Sequence, residues 1–541
     1  MRNVLEYLEN TVKRLPDKVA FAGEGEEITF RQVYDRARAM GSRLAELGLR
    51  NRPVVVYRKR NPGTVLAFLG ILYAGCYYVP LDDEIPRNRV ERILSGLEPG
   101  ALICDESTEA LAKELYRGGE IFRMEELTGG TIRQDLLDAV RENQIDTDPM
   151  YMVFTSGSTG NPKGVMACHR SVIDYIESLS EILQADESSV FGNQAPLYFD
   201  ACLKEIFPTL KFGGTTWIIP KNLFMFPVKL VEYLNEHKIN TICWVVPALT
   251  MISGFGTLET VIPRYLRTVA FASEVFPMKQ FHLWRKALPH TRFINLYGPT
   301  EATGVCCWYA VDREFREDET LPIGRPFPNT GILLLDEHNR EPKAGDQGEI
   351  CIRGTCLTLG YYKDPEKTGA AFMQNPLNTL YPEIIYRTGD LGRYNSRGEL
   401  EFCSRKDDQI KHMGRRIELG EIEVCIGNLK GVRSDCCLFD REEKKILLFY
   451  EGTLTVAELM AGARQELPKY MLPNVVRQVE RIPLTPNGKR NRRLLLELYR
   501  KEETERKNQH GENSGDSGGN PAGCEFFDRR TPDYGGNPGF L

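Results

Sequence analysis

Short runs of β-branched and aromatic residues, Val54-Val-Val-Tyr57, Thr216-Trp-Ile-Ile219 and Thr241-Ile-Cys-Trp-Val-Val246, alternate along this chain with helical patterns such as Val228 to His237. Continuous apolar runs suit strands buried on both faces, and their alternation with helices marks a layered α/β architecture built on parallel sheet. Gly331-Ile-Leu-Leu-Leu-Asp336 and Glu349-Ile-Cys-Ile-Arg353, bounded by turn residues, read instead as antiparallel strands of a smaller β subdomain. At 541 residues the chain exceeds the length over which one core keeps growing, so two or more domains are expected. No internal repeat is visible.

The segment Thr155-Ser-Gly-Ser-Thr-Gly-Asn-Pro-Lys-Gly164 crowds hydroxyls and glycines ahead of one lysine. Glycines let the backbone approach an anion closely, Thr155, Ser156, Ser158 and Thr159 add donors, and Lys163 adds charge. The spacing is not that of a Walker loop, because Pro162 precedes the lysine and Gly164 follows it. Standing alone, such a loop is more often a plain turn.

A net charge of -6 gives no support for a nucleic-acid partner, and the basic run Lys489-Arg-Asn-Arg-Arg493 is read as local. The 14 cysteines show no C-x-x-C spacing, which fits free thiols in a reducing cytoplasm. Leu5, Leu8, Val12 and Leu15 recur at helical spacing among charges, unlike a signal peptide. The longest apolar run, Ala67 to Leu81, is shorter than a ~20-residue membrane span and is broken by glycine and proline. A cytoplasmic protein without membrane insertion is expected. From Gly511 onward Gly, Asn, Ser and Pro predominate, so 501–541 is expected to be a disordered tail.

Asn295-Leu-Tyr-Gly-Pro-Thr-Glu301, Tyr386-Arg-Thr-Gly-Asp390, Ser404-Arg-Lys-Asp-Asp-Gln409 and Pro486-Asn-Gly-Lys489 follow the first loop in that order. Together with Leu72 to Asp82 and Leu467-Pro-Lys-Tyr-Met-Leu-Pro473, the set closely resembles the signature series of the adenylate-forming enzymes. That superfamily includes amino-acid adenylation domains, acyl-CoA synthetases and luciferases. The resemblance covers about residues 1 to 500. It implies a large N-terminal AMP-binding domain over 1–406, made of layered α/β subdomains plus a small β subdomain. It also implies a small mobile α+β lid over 407–500, hinged at Asp407.

The reaction implied is attack of a carboxylate on the α-phosphorus of ATP with loss of pyrophosphate, in which positioned cations and donors carry most of the catalysis. By resemblance Lys489 bridges carboxylate and α-phosphate, Thr300 donates to that phosphate, and Glu301 holds Mg2+. The ATP site would comprise Thr155, Ser156, Gly157, Ser158, Thr159, Gly160, Lys163, Asn295, Tyr297 against the adenine, Gly298, Asp390 on the ribose hydroxyls, and Arg405. A second half-reaction would pass the acyl group to the phosphopantetheine thiol of a separate carrier protein, with Lys411 and Gly414 turned toward the thiol tunnel.

Asn193-Gln-Ala-Pro-Leu-Tyr-Phe-Asp-Ala-Cys-Leu-Lys204 discriminates between substrates. By resemblance to amino-acid adenylating members, Asp200 meets the substrate ammonium, with Ala201, Lys204, Trp244, Ala270, Ala272, Leu296 and Gly304 around it. The wording is most similar to D-alanine:D-alanyl carrier protein ligases, followed by stand-alone nonribosomal peptide synthetase adenylation domains. Ala201, Lys204 and Ala272 depart from the D-alanine pattern and imply a roomier pocket with a cation in it. Lys204 either faces that pocket, favouring an acidic side chain, or snorkels to solvent. The leading expectation is an amino acid:carrier-protein ligase. An acyl-CoA or aryl-CoA synthetase, and a catalytically silent scaffold of the same fold, are the alternatives.

Overall fold

The computed structural model describes residues 1–157, 161–407, 409–484 and 490–512. The chain divides into two compact units, Met1–Arg481 and Ile482–Leu541.

In the first unit a six-stranded sheet runs in the order Glu120–Arg123, Ala101–Cys104, Pro53–Tyr57, Tyr77–Leu81, Pro149–Thr155, Lys163–Cys168. A nine-stranded sheet carries Arg292–Tyr297, Thr268–Ala272, Thr241–Val245, Val190–Asn193, Thr215–Ile218 and Val19–Gly23 as consecutive parallel neighbours. The runs read from sequence as buried strands are these strands, and Val54, Val55 and Val56 are fully buried. Between the sheets the helices Leu5–Arg14, Phe30–Ala45, Pro62–Tyr73, His169–Leu183 and Leu203–Phe212 share one large hydrophobic cluster. The helix Pro62–Tyr73 is buried on every side, so its start depends on local chemistry: Asn61 accepts from the Thr64 amide and proline occupies the first turn.

Thr330–Leu335 and Gly348–Gly354 pair antiparallel within a five-stranded sheet completed by Phe372–Gln374, Ile384–Tyr394 and Leu400–Arg405. The hairpin Gln409–His412 with Arg415–Glu418 comes next. A three-stranded sheet of Val432–Asp440, Lys445–Gly452 and Val475–Gln478 then packs with Leu419–Gly427 and Val456–Glu466 around a separate core.

In the second unit a helix spans Arg492–Glu512. The tail expected from residue 501 therefore begins as helix. Lys, Arg and Glu are good helix formers, and within that stretch Arg506 lies 3.3 Å from Glu503 at i,i+3. Residues 513–541 lie outside the described residues.

Candidate active site

The carboxyl ends of the parallel strands ending at Asn193, Val245, Ala272 and Tyr297 converge on a cavity of about 580 Å³, at the edge where open α/β sheets gather ligands. Asp200, Ala201, Lys204, Val245, Ala272, Thr300 and Gly304 are part of its wall. A second cavity of about 420 Å³ shares Ser273, Gly298, Arg405 and Lys411 with it and adds Asn295, Leu296 and Tyr297.

Asp200 opens a short turn, Asp200–Cys202, that runs into the helix Leu203–Phe212, so Asp200 and Lys204 lie one helical turn apart on the same face. The Asp200 Oδ2 atom is buried without a hydrogen-bond partner. Burial pushes its carboxyl up, with Thr300 and Lys204 pulling the other way. Gly304 sits at φ +87°, and a Cβ there would lie 3.4 Å from Asp200 Oδ2, so this wall approaches the carboxylate through bare backbone.

Lys204 is 4% exposed and lines the cavity, and it makes no hydrogen bond or ion pair with a described residue. The snorkelling alternative is thereby excluded. Beside it the buried Glu205 accepts from Asn193 Nδ2 at 3.2 Å. Burial, only partly offset by Lys204, raises the Glu205 carboxyl to about 8. Near neutral pH this neighbour is largely protonated and neutralises little of the lysine's charge.

The glycine-rich loop leaves from a hairpin in which Thr155 pairs with Lys163. Ser156 and Gly157 face Arg416 to Glu421. Ser156 Oγ donates to the Arg416 carbonyl at 3.1 Å and accepts from the Glu418 amide at 3.2 Å, while the Gly157 amide donates to Glu421 Oε2 at 3.0 Å. Thr155 Oγ1 is buried and unpartnered. Lys163 lies 3.6 Å from Glu418, its ammonium lowered by burial and then by Arg416. Ser158, Thr159, Gly160 and Lys489 lie outside the described residues.

Glu301 is fully buried, accepts from Tyr361 at 2.8 Å, and meets Arg416 Nη1 at 2.8 and 3.0 Å. Burial alone raises its carboxyl, but the guanidinium and the phenol outweigh that and hold it below the usual range. Asp390 accepts from Tyr297 at 2.6 Å and from Arg405 at 2.6 Å. Arg405 also holds Asp407 through two contacts of 2.6 Å. Lys411 lies 5.4 Å from the centre of the Tyr297 ring. Gly414, at φ +74°, donates to Glu274 at 2.8 Å, and a Cβ there would meet Val245 at 2.6 Å.

The residues suit a nucleotide with its metal. The loop already holds a carboxylate where an anion belongs, and the buried Glu301 already holds a cation. Among the described residues no cluster of His, Cys, Asp and Glu forms a metal cage, so a divalent ion at Glu301 would share its coordination with phosphate, as Mg2+ commonly does.

Some residues assigned to the substrate pocket stand elsewhere. Trp244 points to the opposite face of its strand, fully buried and donating to the Gly192 carbonyl at 2.7 Å. Val245, the next residue, takes the cavity side, as the period of two along a strand requires. Ala270 shares a face with Ala272 but lies deeper, in the core, and Leu296 borders only the second cavity. Asn295 turns its amide to the Pro322 carbonyl at 2.8 Å. Arg416 and Glu421 were not legible as site residues, because only the folding of the 409–421 segment against the loop brings them there; Tyr361, equally illegible, arrives through its bridge to Val165.

Residues 8–362 match the family model described as AMP-binding enzyme. This chain belongs to that family. Tyrocidine synthase 1 of Brevibacillus parabrevis is 30% identical over 92% of the chain, which spans 45% of that longer relative. The solved structure of IdnL1 is 26% identical, with a TM-score of 0.72 over 89% of this AMP-binding chain and 99% of its own. Holo-PA1221, an NRPS protein containing adenylation and PCP domains, shares the fold at a TM-score of 0.80 and 24% identity, covering 92% and 84% of the two chains. No helix among the described residues of this family member is long and apolar enough to cross a membrane.

Proposed function

We propose that this chain joins an amino acid to AMP and then passes it to a thiol. The substrate carboxylate oxygen attacks the α-phosphorus of ATP, the bond to the β-phosphate oxygen breaks, and pyrophosphate leaves. The phosphopantetheine thiolate of a separate carrier protein then attacks the aminoacyl carbonyl and AMP departs. The observation that carries this reading is the buried, half-unpartnered Asp200 carboxylate at the cavity, a counter-charge that an α-ammonium needs and a simple carboxylic acid does not.

In this reading Tyr297, Asp390 and Arg405 form the nucleoside end of the site and Thr155 to Lys163 the phosphate end. Glu301 would hold Mg2+, which supplies positive charge shared with the phosphates. Lys489 is assigned to bridge the two anionic reactants as a point charge. The segment from 407 to about 500 would turn about Asp407, presenting Lys489 for adenylation and Lys411 to Gly414 for thiol transfer. Lys204 argues for an acidic side chain, because a cation in the cavity wall is matched by a substrate carboxylate.

A pyrophosphate-release screen across D- and L-amino acids and their deaminated counterparts tests the reading. Release with an acidic amino acid above all others is expected. Equal or better release with deaminated acids would favour a CoA-type synthetase, and no release with any acid would leave the silent scaffold.

A further inference from the structure

We propose that Glu205, buried behind the cavity wall, sets how much of the Lys204 charge a substrate meets, so that the proton on Glu205 controls the choice between an acidic side chain and its neutral amide. This rests on the amino-acid reading above, in which Lys204 meets a substrate carboxylate, and deepens it by naming the residue that tunes the lysine.

Three side chains carry it. Arg60, just past the strand Pro53–Tyr57, forks across the ends of two others: Nη1 donates to the Ile219 carbonyl at 2.7 Å, and Nη2 donates to the Asn193 carbonyl at 2.5 Å and to Asn193 Oδ1 at 2.7 Å. That grip turns the other side of the Asn193 amide toward Glu205, where Nδ2 donates to Oε2 at 3.2 Å. Glu205 is fully buried, and its Oε1 atom has no hydrogen-bond partner. A buried carboxyl with one neutral donor for two oxygens suits the neutral acid better than the anion.

Lys204 precedes Glu205 in the helix Leu203–Phe212 and lines the cavity. Burial raises the Glu205 carboxyl to about 8, with Lys204, the Asn193 amide and Arg60 pulling the other way. Tyr175 from the helix His169–Leu183, Cys202 from the turn before the lysine and Cys243 from the strand Thr241–Val245 also feel this carboxyl, and burial pushes all three up. They stay protonated to pH 9, and Arg60, lowered by burial to about 10, stays largely charged. Asp200 is assigned to the ammonium that an acidic amino acid and its amide have in common, so its titration cancels between them. Below about pH 8 the neutral Glu205 leaves the Lys204 ammonium to a substrate carboxylate. Above it the Glu205 anion offsets that ammonium and repels a second carboxylate. Proton and substrate carboxylate therefore favour each other by the same coupling free energy.

The ratio of kcat/KM for an acidic amino acid to that for its side-chain amide, glutamate against glutamine and aspartate against asparagine, tests this on the full chain from pH 7 to 9. The wild-type ratio should fall about tenfold over that range, and Glu205→Gln, uncharged throughout, should hold it within about twofold. A flat wild-type ratio overturns the proposal. An equal fall in Glu205→Gln overturns it too, because the titration would then belong to Lys204 itself. Should Glu205→Gln fail to fold by circular dichroism, calorimetric titration of wild type at pH 8 in two buffers of unlike ionisation heat replaces it. The acidic amino acid should then take up about half a proton more than its amide, and equal uptake overturns the proposal. Wild-type protein with no preference for the acidic amino acid at pH 7 would refute the reading of Lys204 itself, an outcome distinct from a preference that pH leaves unaltered.

Discussion

Arg405 donates to Asp390 at 2.6 Å across paired strands and, from the same guanidinium, grips Asp407 two residues further along the chain. The carboxylate assigned to the ribose and the residue assigned to the hinge are thus tied to one cation. Asp407→Pro fixes φ at the assigned pivot, so it should slow one half-reaction at least about tenfold more than the other. Pyrophosphate exchange and thioester formation measured in parallel check this, and equal rates in both would remove Asp407 as the pivot.

Asp200→Ala should weaken activation of amino acids by about 2 to 5 kcal/mol in kcat/KM while sparing the matching deaminated acids, because only an ammonium needs the buried carboxylate. Paired kinetics on one amino acid and its deaminated analogue give the comparison. A uniform loss would mean that Asp200 serves the pocket wall and not the ammonium.

Lys204→Met keeps the length of the side chain at the cavity wall and removes its charge. Preference should move from acidic toward small or apolar side chains, by about tenfold or more in relative kcat/KM, since a desolvated charge pair is lost. An unaltered substrate ranking would return a small amino acid such as D-alanine to the front.

Gly414→Ala places a methyl 2.6 Å from Val245 in a left-handed backbone that alanine adopts reluctantly. Docking of the 409–418 hairpin should suffer, and with it thioester transfer, while pyrophosphate exchange is retained. Transfer at the wild-type rate would show that the close contact is dispensable.

Glu205 binds its proton more tightly in the folded chain, at about 8, than an exposed glutamate does, because burial disfavours the anion. Between roughly pH 4.5 and 8 the folded state therefore holds more protons than the unfolded one, and stability should fall as pH rises, by up to about 1.4 kcal/mol per pH unit from this group. Glu205→Gln should flatten that part of the curve of melting temperature against pH. A slope equal to that of wild type would assign it to other groups.

Much was determined by sequence alone. The buried strands at Val54 to Tyr57 and Thr241 to Val245, the antiparallel pair near Gly331 and Glu349, and the order of the nucleotide motifs all depend on local pattern, since alternation and apolar runs are properties of neighbours along a chain. Tertiary structure decided what depends on residues far apart in sequence. Trp244 and Val245 are adjacent, yet strand alternation and sheet packing send one to the core and the other to the cavity. The direction of Lys204 follows from the helix that begins after Asp200. The meeting of Glu301 with Arg416 joins positions 115 residues apart, which no periodicity encodes; it exists because the chain folds a second core against the first and carries a guanidinium to a buried carboxylate.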